Sequence, residues 1–153
     1  MRKYKTVIRL IGTILFILYI SYLIYLTFFD HTYGRNVFQR RINLVPFKTI
    51  VKFLTSSYDW KIVMINIAGN IAAFVPMGFL PPIAFSRMKS FSKVFAVVLL
   101  ATLSIEIFQY IFAVGTCDID DVILNVLGGV AGYFSIICAM ALISKKNNNI
   151  KSL

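Results

Sequence analysis

The sequence predicts an all-α integral membrane protein of four transmembrane helices, both termini cytoplasmic, with a short amphipathic interfacial helix in the first outer loop. Three observations carry this. Hydrophobic residues make up 59% of the 153 and charged residues 14%, against about 45–50% and 25% in soluble domains. The mean hydropathy of +0.80 exceeds what a soluble core of this size can bury, and the wealth of Ile, Leu, Phe and Tyr excludes disorder. The apolar residues gather in four stretches, about 7–29, 62–80, 91–114 and 122–143, each near the roughly 20 residues that cross a bilayer at 1.5 Å per residue. Period-two alternation is absent, which argues against a barrel, and backbone in hydrocarbon must satisfy its own hydrogen bonds, so the stretches read as helices.

The first stretch begins behind Arg2, Lys3 and Lys5, as a signal peptide would. Its apolar run exceeds the roughly 7–15 residues of a cleaved signal and no small-x-small site follows, so it reads as an uncleaved anchor. With four spans, the amino terminus, the second loop (Arg87, Lys89, Lys93) and the tail (Lys145, Lys146, Lys151) share one side, holding ten of sixteen basic residues and no acidic one. The positive-inside rule makes that side cytoplasmic. The other side holds Arg35, Arg40, Arg41, Lys48, Lys52 and Lys61 with Asp30, Asp59, Asp118, Asp120 and Asp121. The net charge of +10 then reflects topology and attraction to anionic lipid. No basic and aromatic stripe on a soluble fold supports a nucleic-acid partner.

Within the first outer loop, Phe47, Ile50, Val51 and Leu54 fall at i, i+3, i+4 and i+7, one apolar helical face. Pro46 suits the first helical position. Two placements are open: in the membrane interface, or packed on the mouth of the bundle. Cys117 and Cys138 are separated by most of the fourth span, too far for a disulfide. No metal-type cysteine spacing exists, and the single histidine, His31, reads as an interface residue.

Polar residues inside spans are costly and face the bundle interior or a water-filled cavity. Asn66 and Asn70 share a face of the second helix, Glu106 and Gln109 of the third, and Asp121 and Asn125 of the fourth, by i+3 and i+4 spacing. The orientation brings all three pairs to one outer depth, with Asp118 and Asp120 in the loop above. This predicts an outward-opening polar pocket. The plain alternatives are interhelical hydrogen bonding by the amides and helix capping by Asp120 or Asp121. Glu106 is hardest to explain so, since a carboxylate in apolar surroundings must be protonated or paired; Arg40, Arg41 and Lys61 are the basic residues within reach. Gly69 and Gly78 let neighbours approach the second helix, Pro76 kinks it, and Pro81-Pro82 ends it. Gly128 and Gly132, with Gly129, make a face for close helix packing.

The runs N-L-V-P-F (43–47), N-I-A-G-N-I-A-A-F-V-P-M-G-F-L-P (66–81), S-I-E-I-F-Q (104–109) and D-I-D-D-V-I-L-N-V-L-G-G-V-A-G-Y (118–133) together resemble the VanZ-like family of bacterial membrane proteins, across nearly the whole of Arg40 to Tyr133. The resemblance implies a cell-envelope role. The family's founding member is associated with low-level resistance to teicoplanin, a lipoglycopeptide that targets lipid-linked peptidoglycan precursor. It implies a VanZ-like transmembrane domain over 1–144 and a basic cytoplasmic tail over 145–153. It marks Asn43, Asn66, Asn70, Glu106, Gln109, Asp118, Asp121 and Asn125 as the family's polar positions. Many relatives carry an Arg shortly after the glycine matching Gly115, where Thr116 and Cys117 stand here; if that Arg pairs with an anionic ligand, either Arg40 or Arg41 substitutes for it or the ligand differs. Some relatives also continue into a further span.

Three functions follow as expectations. In the first, a multi-pass cell-membrane protein uses Asn43, Asn66, Asn70, Gln109, Asp118, Asp120, Asp121, Asn125, Arg40 and Arg41 to bind an envelope lipid head group, a lipid-linked precursor or the lipoglycopeptide. In the second, a membrane enzyme acts on such a substrate with Glu106 as acid or base, without a resident cofactor; a divalent cation on Asp118, Asp120 or Asp121 is a weak addition. In the third, a small transporter or scaffold subunit forms homo-oligomers through Gly128 and Gly132.

Overall fold

The computed structural model describes residues 2–29, 41–55 and 57–151. Asp30, His31, Arg35 and Arg40 lie outside the described residues. The elements in order are α1 (Arg2–Phe28), β1 (Arg41–Asn43), α2 (Lys48–Thr55), α3 (Trp60–Phe79), α4 (Pro81–Ala84), α5 (Phe91–Phe112), β2 (Thr116–Asp118) and α6 (Ile119–Lys151). Four helical segments are long and apolar enough to cross a membrane: Lys3–Phe28, Trp60–Ala84, Phe91–Phe112 and Ile119–Lys145. Large apolar side chains such as Ile14, Leu18, Leu100, Ile107, Phe134 and Leu142 are exposed on them, an exterior that water would not tolerate and lipid tails would. The chain is a membrane protein.

The structure adds detail that the sequence expectation lacked. The fold is not purely helical, because β1 and β2 pair in parallel, with Arg41 opposite Thr116, Ile42 opposite Cys117 and Asn43 opposite Asp118. Pro81-Pro82 ends α3 at Phe79, with Leu80 as its cap, but the apolar segment continues. Leu80 stays right-handed and the prolines occupy the first positions of α4, where a missing N–H costs nothing, so the span reaches Ala84. Pro46 does not open α2; that helix starts at Lys48, after Phe47 takes a positive φ of 64°. The basic segment expected as a tail is helical as far as Lys151.

The α3–α6 pair is the spine of the bundle. A Cβ on Gly128 or Gly132 would overlap the carbonyl oxygens of Ile71 and Val75, and one on Gly78 would overlap that of Gly129. Backbone therefore lies on backbone, the close packing that stabilises helix pairs where no hydrophobic force separates protein from solvent. The Gly128–Gly132 face is thus occupied by α3. Gly69 plays no such part, for a Cβ there would meet nothing within 4 Å. Around the spine, Leu23 of α1, Phe74 and Met77 of α3, Val94 and Val98 of α5 and Tyr133 of α6 form one buried cluster. The Tyr19 hydroxyl donates to the Ala73 carbonyl at 2.8 Å, tying α1 to α3.

Candidate functional site

At the end of the bundle that carries β1, β2 and α2, the four spans leave a cavity of about 200 Å³. Its polar lining comes from Thr27 of α1, Asn66 and Asn70 of α3, Glu106 and Gln109 of α5, and Asp121 and Asn125 of α6. The i+3 and i+4 spacings put each pair on one helix face, and the α3–α6 and α5–α6 packing turns those faces together. Leu23, Ile65, Ala73 and Phe74 supply apolar wall.

Several of these groups are held in place. Asn70 Nδ2 donates to Asp121 Oδ1 at 2.6 Å. Asn66 Nδ2 donates back to the Ile62 carbonyl at 2.7 Å. Gln109 Nε2 lies 3.5 Å from the Thr27 carbonyl, a long contact. Glu106 is only 3% exposed, and its Oε2 accepts the Asp118 backbone N–H at 2.8 Å. Asn125, 4% exposed, donates through Nδ2 to Thr102 Oγ1 at 2.9 Å. Its Oδ1 is buried and accepts nothing. An unmade bond on a buried acceptor costs about 1–3 kcal/mol, so this oxygen is a local cost within the packing around Asn125.

Asn43, Asp118 and Asp120, expected with the pocket, sit in a separate cluster and do not line it. Asp118 caps its own helix, with Oδ1 accepting the Asp120 N–H at 2.9 Å. The same oxygen accepts Asn43 Nδ2 at 2.9 Å, and Oδ2 accepts the Thr49 hydroxyl at 2.5 Å. Asp120 caps a different helix altogether. Fully buried, it accepts N–H groups at the start of α2 from Phe47 at 2.5 Å, Thr49 at 2.7 Å and Ile50 at 3.1 Å. Those donors have no partner within their own helix, and a carboxylate there also meets the positive end of the helix dipole. The capping expectation for Asp120 thus applies to α2 and not to α6. On the α2 apolar face Phe47, Val51 and Leu54 are exposed while Ile50 is half-buried.

Arg41 is exposed on β1 and does not line the cavity; neither does Lys61. Among the described residues no group of three His, Cys, Asp or Glu side chains could hold a metal ion. The carboxylate oxygens of Asp118 and Asp120, and Oδ1 of Asp121, accept N–H and O–H donors. Cys117 and Cys138 are free. Burial pushes the Cys117 thiol pKa up, and the nearby negative charges of Glu106 and Asp118 push it further. Thr27 was absent from the predicted pocket. It is the polar residue nearest the loop end of the first span, and that position is the signal that marks it.

A model of the VanZ/LLP1 family matches residues 16–142. The chain belongs to the VanZ/LLP1 family. The matched region runs from the middle of the first span to near the end of the fourth, and takes in the strand pair and every residue lining the cavity. Protein VanZ of Enterococcus faecium is 37% identical over 97 residues, covering 63% of this chain and 53% of that protein. The chain therefore spans about half the length of this curated relative. No solved structure matches.

Proposed function

We propose that the chain is a VanZ-like protein of the bacterial cell membrane whose cavity opens outward and takes the head group of an envelope lipid or lipid-linked precursor, contributing to teicoplanin resistance. Both termini are then cytoplasmic. The observation that carries the reading is the convergence of seven polar side chains from four spans on one cavity, with the buried Asn125 Oδ1 still without a donor. Hydrogen-bond glue between helices needs no such space. The distribution of basic residues supports the orientation: ten of sixteen lie at the end with the termini, with no acid, as the positive-inside rule requires of cytoplasmic segments. A head group rich in hydrogen-bond donors, hydroxyl or amine, matches amide and carboxylate acceptors better than one presenting acceptors alone.

The reading is tested in a strain lacking the gene, complemented with wild type or Glu106→Gln, by teicoplanin susceptibility and extracted envelope lipids. Wild type should restore resistance. Unchanged susceptibility on deletion, with unchanged lipids, would refute the envelope role.

A second reading rests on Glu106 alone. Its carboxylate borders the cavity while a backbone N–H fixes one oxygen, which suits a positioned acid or base in a membrane enzyme. Full function in Glu106→Gln, which cannot titrate, removes that reading and leaves binding intact.

A further inference from the structure

A second cavity, of about 230 Å³, lies at the opposite end of the bundle. Lys5 and Arg9 of α1 and Lys89 and Ser86 of the α4–α5 connector line it, over an apolar floor that includes Pro82 and Ile83. Lys5 and Arg9 are four residues apart and share one helix face. Gly12, one turn further on, allows α1 to lie against α4: a Cβ there would come within 2.9 Å of Ile83 Cγ2 and 3.2 Å of Ala84 N. The connector is pinned from the other side, where the Tyr133 hydroxyl donates to the Lys89 carbonyl at 2.9 Å. Pro81 and Pro82 are buried beneath. Three cations from two separate chain segments are thus brought around one concavity by packed elements. No acidic residue occurs in 1–29, 60–105 or 122–153, so no carboxylate of these spans or their connector offsets them. The positive-inside rule accounts for which side these residues occupy; it does not account for their meeting at a cavity.

We propose that this cavity binds the phosphate-bearing head group of an anionic phospholipid in the adjoining leaflet. Clustered cations attract phosphate, and basic pockets between transmembrane helices recur as lipid head-group sites. The apolar floor and the exposed Ile8 beside it favour a lipid over free phosphate, because acyl chains can continue along the helices where a soluble ion has nothing to bury. This site shares no residue with the cavity at the other end.

The test uses the full chain purified in detergent, with lipid adducts titrated by native mass spectrometry. Phosphatidylglycerol should bind at least about tenfold more tightly than phosphatidylcholine. Arg9→Gln and Lys89→Gln should each weaken phosphatidylglycerol about fivefold, following the contribution of one basic residue near an anionic lipid. Lys145→Gln, a basic residue of the same end outside the cavity, should change binding less than about twofold, and Arg9→Lys should retain it. Circular dichroism confirms folding of each variant, and the wild-type lipid comparison stands without any of them. Equal binding of the two lipids, or equal loss from Lys145→Gln and Arg9→Gln, would overturn the site. Displacement of phosphatidylglycerol by low millimolar inorganic phosphate would overturn its assignment to lipid.

Discussion

Two polar clusters share the strand-bearing end of the bundle and differ in what their atoms are doing. In the capping cluster, Asp120 is surrounded by three backbone N–H groups and Asp118 by Asn43, Thr49 and its own helix. In the cavity cluster, Asn66, Asn70, Glu106, Gln109, Asp121 and Asn125 border open space, and one amide oxygen has no donor. The two meet where the Asp118 N–H reaches Glu106. The conspicuous D-I-D-D run is split between the two: Asp118 and Asp120 hold backbone and loop together, while Asp121 borders the cavity. The set around open space joins amides from three helices to the carboxyl groups of Glu106 and Asp121. Charge density in a sequence thus marks places where backbone must be satisfied as readily as places where something binds.

The largest expected effect breaks the capping cluster. Asp120→Ala removes three charge-assisted bonds at once and strands the first N–H groups of α2. It should lower stability by about 3 kcal/mol, seen as a fall in melting temperature in detergent, with function lost only as folded protein is lost. Asn125→Leu sharpens the contrast from the other side. It removes the unmade bond along with the one to Thr102, so stability should change by no more than about 1 kcal/mol, while resistance in the complemented strain falls to that of the deletion. Retained resistance would return Asn125 to a packing role.

The smallest effect probes the junction. Glu106→Gln keeps an acceptor for the Asp118 N–H but removes the negative charge that helps raise the Cys117 thiol pKa. With that pKa lowered, more thiolate exists at a given pH, so iodoacetamide should modify Cys117 faster at pH 8 than in wild type. A Cys138→Ser background isolates the signal. An unchanged rate would mean that Glu106 carries no charge that Cys117 senses.

The spans were legible because hydropathy and length are local properties, and the cavity faces because i+3 and i+4 spacing fixes which side chains share a side. Asn70 and Asp121 were placed on converging faces in this way, and they bond across α3 and α6. What escaped depends on contacts between distant segments. β1 and β2 are three residues each, too short for alternation to register, and they exist because each finds the other across more than 70 residues of chain. Asp120 shows nothing in sequence of its bond to α2, since a cap is normally read within its own helix. The start of α2 was misplaced because Pro46 suits a helical first turn, while the positive φ of Phe47 follows from the turn that carries its N–H to Asp120. Arg41 stands on the short strand β1, exposed and outside the cavity lining, a placement that depends on the same distant pairing.

Gly69 allows the central claim to be tested without disturbing either cluster. It lines the cavity, and a side chain there meets no neighbour within 4 Å of its Cβ; leucine is also the better helix former. Gly69→Leu should fold with a melting temperature at or above that of wild type and fill the space between the polar side chains. The decisive measurement is the amount of lipid-linked precursor retained by purified Gly69→Leu relative to wild type. The account predicts retention by wild type and loss of at least about tenfold in the filled variant; equal retention by the two would contradict it.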